Sequence, residues 1–110
     1  MTLTIYHNPR CSKSRRTLEI IRETGADPEI VLYLDDTPSA PEIEEIAATL
    51  RLPVADLLRR GEVTFREAQD LPALEDGARL AQWLATNPIA LQRPIVIDKD
   101  AGKAVIGRPP

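Results

Sequence analysis

The stretch that decides the fold is Leu3-Thr4-Ile5-Tyr6-His7-Asn8-Pro9-Arg10-Cys11-Ser12-Lys13-Ser14. Leu3 to Tyr6 is short and β-prone, and His7-Asn8-Pro9 bounds it, so it reads as a strand that runs into a loop. From about Ser12 to Thr24, Leu18, Ile20 and Ile21, with Thr17, suit one face of a helix, and Gly25 supplies a C-terminal stop. Ile30 to Leu34 is a continuous apolar run, expected to be a buried strand. Strand, helix and strand at this spacing form a βαβ unit, which implies parallel strands and a right-handed crossover. Cys11 falls where the first loop becomes the helix.

Beyond the unit the pattern turns helical. Ser39-Ala40-Pro41-Glu42 has the spacing of a capping box, and Ile43, Ile46, Ala47 and Leu50 follow at helical intervals. Pro53 opens a short helix carrying Val54, Leu57 and Leu58, closed by Arg59-Arg60-Gly61. Residues 62–75 read as polar and irregular. Asp76 caps a helix through Leu80, Trp83 and Leu84 that ends at Asn87-Pro88. Ile95 to Ile97 and Ala104 to Ile106 flank a polar turn and read as a β-hairpin. The order predicts an α/β fold: a thioredoxin-like (glutaredoxin-like) mixed four-stranded sheet with a helical insertion, in one domain over residues 1–110.

With 110 residues, 43% hydrophobic and 28% charged, the chain has the composition of a globular domain. A net charge of −3 gives no reason to expect nucleic acid or an anionic membrane. The charge is uneven: Arg10, Lys13, Arg15 and Arg16 crowd the loop and helix start, while acids dominate from Glu19 to Glu45. No apolar run is long enough to span a bilayer, and the first residues lack the pattern of a signal peptide. A single cysteine excludes an intramolecular disulfide and suits a reducing compartment, so the cytoplasm is expected. One His and one Cys cannot assemble the usual four ligands of structural zinc, and no metal is expected.

A helix N-terminus favours an anion through its exposed N–H groups and dipole, and the basic neighbours add positive potential. Both effects favour the thiolate form of Cys11, the reactive form of a thiol. The bland alternative is a buried cysteine acting as a small hydrophobe. Cys11-Ser12-Lys13-Ser14 has the spacing of a redox Cys-x-x-Cys motif, with serine in the second position. Serine cannot resolve a mixed disulfide, so an outside thiol must finish any such reaction. His7 is either a partner of the thiolate or a hydrogen-bonding loop residue. Arg93 precedes Pro94 at the start of a strand, where an X-Pro bond can be cis. Arg108 follows the hairpin, and Arg59 and Arg60 end the short central helix. Each arginine is by itself an ordinary surface charge, but guanidinium groups also bind tetrahedral oxyanions bidentately.

Residues 6–15, Leu57-Leu58-Arg59, Arg93-Pro94-Ile95-Val96 and Ile106-Gly107-Arg108-Pro109-Pro110, in that order, resemble the glutaredoxin-coupled arsenate reductases. Members usually continue past the last motif into a helix, whereas this sequence stops at Pro110. The resemblance implies reduction of arsenate to arsenite, with glutathione as co-substrate, glutaredoxin as partner and no bound cofactor. It implies that Cys11 is the nucleophile, that His7 supports the thiolate and that Ser14 hydrogen-bonds to it. Arg59, Arg93 and Arg108 would bind the oxyanion, with Arg60 the neighbour to which the first assignment could slip. Pro94 would be the cis-proline. Two other classes stay open: a glutathione-linked thiol oxidoreductase not specific for arsenate, and a non-enzymatic redox-sensing regulator, which usually carries Cys-x-x-Cys. A phosphatase-like Cys-x5-Arg loop would need arginine where Thr17 stands.

Overall fold

The computed structural model describes residues 3–92, 94–98 and 100–106. They form two compact units, residues 1–36 with 93–110, and residues 37–92.

The first unit is built on a four-stranded sheet. It contains β1 (Leu3–His7), α1 (Ser12–Glu23), β2 (Glu29–Leu32), β3 (Ile95–Asp98) and β4 (Lys103–Ile106). Strand order is β2-β1-β3-β4. β1 runs parallel to β2 and antiparallel to β3, with Ile5 opposite both Ile30 and Val96. β3 and β4 form the expected antiparallel hairpin. The sheet is therefore mixed and four-stranded, as the element order predicts. By the period-two alternation Ile5 lies on one face of the sheet and Ile95 and Ile97 on the other, and all three are buried, Ile5 and Ile95 completely.

One expectation fails here. The run from Ile30 to Leu34 is not a buried strand: β2 ends at Leu32, and Ile30, Leu32 and Leu34 are 37%, 40% and 38% exposed. The cause is topological. A hydrophobic run suits a strand covered on both faces, but the exposed residues alternate and so mark one open side of this edge strand, while Tyr33 between them is completely buried.

The second unit is helical. α2 (Ala40–Leu50) starts at Ser39, whose hydroxyl accepts from the Glu42 N–H at 3.4 Å. Glu42 answers through its carboxylate, which accepts from the Ser39 hydroxyl at 3.1 Å instead of from the cap backbone. The helix ends in a Schellman motif. Arg51 is left-handed (φ 59°), its N–H bonds the carbonyl of Ala48, and the Leu52 N–H bonds that of Ala47. A 3-10 turn (Val54–Leu57) follows Pro53. The segment read as irregular contains one helical turn, α3 (Val63–Arg66), too short to show periodicity. α4 (Gly77–Thr86) is capped by the Asp76 carboxylate, which accepts from the Arg79 N–H at 3.2 Å. α2 and α4 pack together, burying Ile43, Ile46 and Ala47 from one and Leu80, Trp83 and Leu84 from the other. Each fully buried aliphatic side chain contributes roughly 1.5–3 kcal/mol. Trp83 Nε1–H donates to Asp70 Oδ1 at 3.2 Å, tying the polar loop to α4.

Candidate active site

β1 delivers the chain to a tight turn. The Asn8 carbonyl accepts from the Cys11 N–H at 3.0 Å, and the Asn8 side chain accepts from the Arg10 N–H at 3.0 Å. This Asx-type bond is why Asn-Pro serves as the turn-former. Cys11 is then the N-cap of α1, with extended backbone (φ −94°, ψ 121°), and its carbonyl accepts the first helical bond from Arg15 at 3.0 Å. No acidic residue stands in the first turn, so nothing there offsets the positive end of the helix. Cys11 is half-buried, between the two extremes the sequence left open. The Arg15 guanidinium reaches back to donate to the Pro9 carbonyl at 2.8 Å, closing the loop from the helix side.

Beneath this turn lies a buried polar group of three. Ser14 is completely buried, and His7 and Asn8 are nearly so. Ser14 Oγ accepts from the Asn8 N–H at 3.0 Å and lies 2.7 Å from His7 Nδ1. The hydroxyl oxygen has a second lone pair, so the contact is made either by the Ser14 O–H donating to Nδ1 or by Nδ1–H donating to Ser14, according to the His7 tautomer. Burial holds the His7 pKa below its ordinary value, and the charges of Arg22 and then Arg15 push it the same way. His7 is thus neutral near pH 7.

The structure therefore brings His7 and Ser14 together and puts Cys11 at the N-cap directly after their loop. Asn8 is the residue that sequence reasoning passed over. The signal was present, because an Asn before Pro at the end of a strand commonly folds its side chain back onto the main chain. A cavity of about 360 Å³ opens beside the turn, lined by residues from the carboxyl ends of β1 and β2.

Arg59 belongs to the helical unit. Its N–H donates to the Ala90 carbonyl at 2.7 Å and the Gln92 N–H donates to the Leu57 carbonyl at 2.7 Å, around a bridge between Leu58 and Leu91. The Arg59 backbone is thereby fixed, and its half-buried guanidinium pairs with Glu62 at 3.2 Å. Arg60 is exposed. Pro94 is fully buried, just before β3. Arg93 and Arg108 lie outside the described residues, and with Arg93 the geometry of its bond to Pro94. Among the described residues no three His, Cys, Asp or Glu side chains are grouped to hold a metal ion, and no helix is long and apolar enough to cross a membrane.

A cysteine at the start of the first helix, on a β2-β1-β3-β4 sheet with a helical insertion, defines a protein of the thioredoxin-like class. More narrowly, the chain belongs to the ArsC family, which residues 6–110 match. It is 41% identical over 107 residues to the uncharacterized protein YfgD of Escherichia coli (strain K12), covering 96% of this chain and 88% of that one. It is 40% identical over 109 residues to the arsenate reductase of Neisseria meningitidis serogroup B, covering 97% and 91%. Among solved structures it resembles the arsenate reductase from Vibrio cholerae with a TM-score of 0.86 at 34% identity, covering 99% of this chain and 92% of that one.

Proposed function

We propose that this protein is an arsenate reductase that works as one domain in the cytoplasm, reducing arsenate to arsenite with glutathione and glutaredoxin. The observation that carries the reading is Cys11 at the N-cap of α1, in a chain whose relatives include arsenate reductases. In this reading Cys11 is the nucleophile, and Arg59, Arg93 and Arg108 bind the oxyanion. They neutralise charge that would otherwise repel the thiolate. Arg59 is the choice over Arg60 because its backbone is held on both sides and its guanidinium is half-buried. Pro94 would be the cis-proline that faces the nucleophile.

The thiolate attacks arsenic, and an oxygen leaves as water after protonation. A glutathione thiolate then attacks the adduct. The new S–S bond forms on the Cys11 sulfur as its S–As bond breaks with the electron pair staying on arsenic, so arsenic falls from As(V) to As(III), arsenite departs and Cys11 is left in a mixed disulfide with glutathione. Glutaredoxin's thiolate then takes the glutathione into a mixed disulfide of its own, and the Cys11 thiolate leaves ready for another arsenate. No prosthetic group, metal, nucleic acid or membrane takes part. His7, being neutral, acts through position: in this reading its Nδ1–H donates to Ser14, which orients the turn that carries Cys11 and keeps its own proton for a hydrogen bond to the thiolate.

The test is a coupled assay that follows arsenate-dependent oxidation of nicotinamide cofactor, omitting glutathione and glutaredoxin in turn. Turnover should need both thiols, vanish in Cys11→Ser with the fold intact, and lose arsenate affinity in Arg93→Ala. Substantial activity in Cys11→Ser would overturn the reading. Turnover of glutathione mixed disulfides without any response to arsenate would replace it with the general thiol oxidoreductase.

A further inference from the structure

Glu62 stands at the N-cap of α3, where a side chain ordinarily accepts from the first N–H groups of the helix. Its carboxylate makes no such bond. It turns back instead to Arg59, whose Nη1–H donates to Oε2 at 3.2 Å. The main chain joins the same two residues, the Glu62 N–H donating to the Arg59 carbonyl at 3.0 Å. The Arg59 N–H is held by Ala90, so guanidinium and carboxylate project from one fixed turn within residues 37–92. Their side chains are 32% and 21% exposed, against 42% or more for every partner in the Arg16 and Arg79 pairs. A single pair still open to water contributes little to stability, so the reach towards Arg59 calls for another reason.

Both partners keep capacity for a third. Arg59 engages one nitrogen on Glu62, and among the described residues its Nε–H and Nη2–H groups have no protein acceptor. Glu62 Oε1 likewise has no protein donor among them. The free N–H groups of a guanidinium can hold two oxygens of a tetrahedral anion. The carboxylate beside them changes which anion is accepted, because an ionised carboxylate can only accept hydrogen bonds. An oxyanion that keeps a hydroxyl near neutral pH, as arsenate and phosphate do, can donate to it. Sulfate keeps none and is simply repelled. A site built to bond a hydroxyl rejects the analogue that lacks one, whereas arginines alone would take either.

We propose that Glu62 is the specificity-determining partner of Arg59, admitting tetrahedral oxyanions that carry a hydroxyl and turning away those that do not. The hydroxyl donates to Oε1, and the anion's other oxygens accept from the guanidinium N–H groups that Glu62 leaves free. The inference rests on the function proposed above for an oxyanion at Arg59, and it names the acceptor that decides which oxyanion binds there. The device does not separate arsenate from phosphate, so the binding it describes is measurable without turnover.

The probes are inorganic phosphate, which has the hydroxyl and cannot be reduced by a thiol, and sulfate, which lacks it. Each is titrated into the reduced full-length protein near pH 7 while backbone amide shifts are recorded. The wild type should prefer phosphate, with shifts that include Arg59 and Glu62. Glu62→Gln keeps an amide oxygen for Arg59 and offers sulfate an N–H, so sulfate should bind roughly threefold to tenfold more tightly while phosphate gains nothing. Glu67→Gln removes an exposed charge at the end of α3 and should leave the ratio of the two affinities within about twofold of the wild type. Equal binding of the two ions by the wild type, or no binding of either, overturns the proposal without recourse to any variant. It falls also if Glu62→Gln leaves the ratio unchanged, or if Glu67→Gln shifts it as far. Arg59→Ala should lose both ions; if it binds them like the wild type, the oxyanion role of Arg59 falls and the proposal with it. Glu62-dependent preference for phosphate in a protein that never reduces arsenate would leave the specificity standing and remove the reaction assigned to it.

Discussion

Replacing Ser14 with alanine probes the group beneath the nucleophile directly. Ser14 has no solvent exposure, and its Oγ serves two buried partners, the Asn8 N–H at 3.0 Å and His7 Nδ1 at 2.7 Å. Alanine leaves both without a partner in a space water does not reach. Each stranded group costs about 1–3 kcal/mol, and the better helix propensity of alanine returns roughly 0.5 kcal/mol. The net loss should be about 2–4 kcal/mol, which for a chain of this length lowers Tm by on the order of 10 °C. Urea unfolding of the wild type, Ser14→Ala, His7→Phe and the double variant gives the loss and its division. Because His7→Phe removes one of the two orphans, the double variant should be more stable than the sum of the singles predicts, by about 1–2 kcal/mol. A Ser14→Ala cost under about 0.5 kcal/mol, or strict additivity, would mean that the polar trio does not organise the turn.

Three further outcomes follow from the same coordinates. Since the folded-state pKa of His7 lies below its ordinary value, the unfolded chain takes up the proton first as pH drops. The His7 contribution is complete above about pH 6.5 and declines below it, until pH passes the folded pKa; urea midpoints from pH 7.5 to 5.5 should fall less steeply in His7→Gln than in the wild type. Arg51 holds a left-handed conformation at the end of α2, so Arg51→Gly should raise stability by about 0.5–1 kcal/mol, read as a higher Tm. Removing the α4 cap in Asp76→Ala should cost about 1 kcal/mol in denaturant titration, and a neutral result would show that the Arg79 N–H finds water instead.

Elements with a repeating pattern or a chemical punctuation mark were legible from sequence. α1 opens after Cys11 and closes before Gly25, and α4 runs from its Asp76 cap to Asn87, as their patterns predict. The hairpin of β3 and β4 was equally plain. β2 misled because Ile30, Val31 and Leu32 have the composition of a central strand, and composition does not encode which edge of a sheet a strand will occupy. α3 was invisible because four residues cannot display a period. For the site, the N-cap position of Cys11 could be read from the spacing along strand, loop and helix, whereas Ser14 entered only through the resemblance and its contact with His7 was not foreseen. That His7 is neutral could not be read either, because its charge depends on burial and on the positions of Arg22 and Arg15. Asn8 was missed because its work is done largely by the main chain, which a residue-type motif does not display.

The bonds that set the nucleophile's position are short in sequence as well as in space: His7 to Ser14 spans seven residues, and Asn8 to Ser14 and Pro9 to Arg15 span six. Closing loops of that size takes on the order of tens of nanoseconds and little entropy. Once the first strand and one helical turn exist, these loop bonds can close without awaiting residues 93–110. The turn that carries Cys11 is thus specified locally, by a segment that leaves the ribosome well before the last two strands.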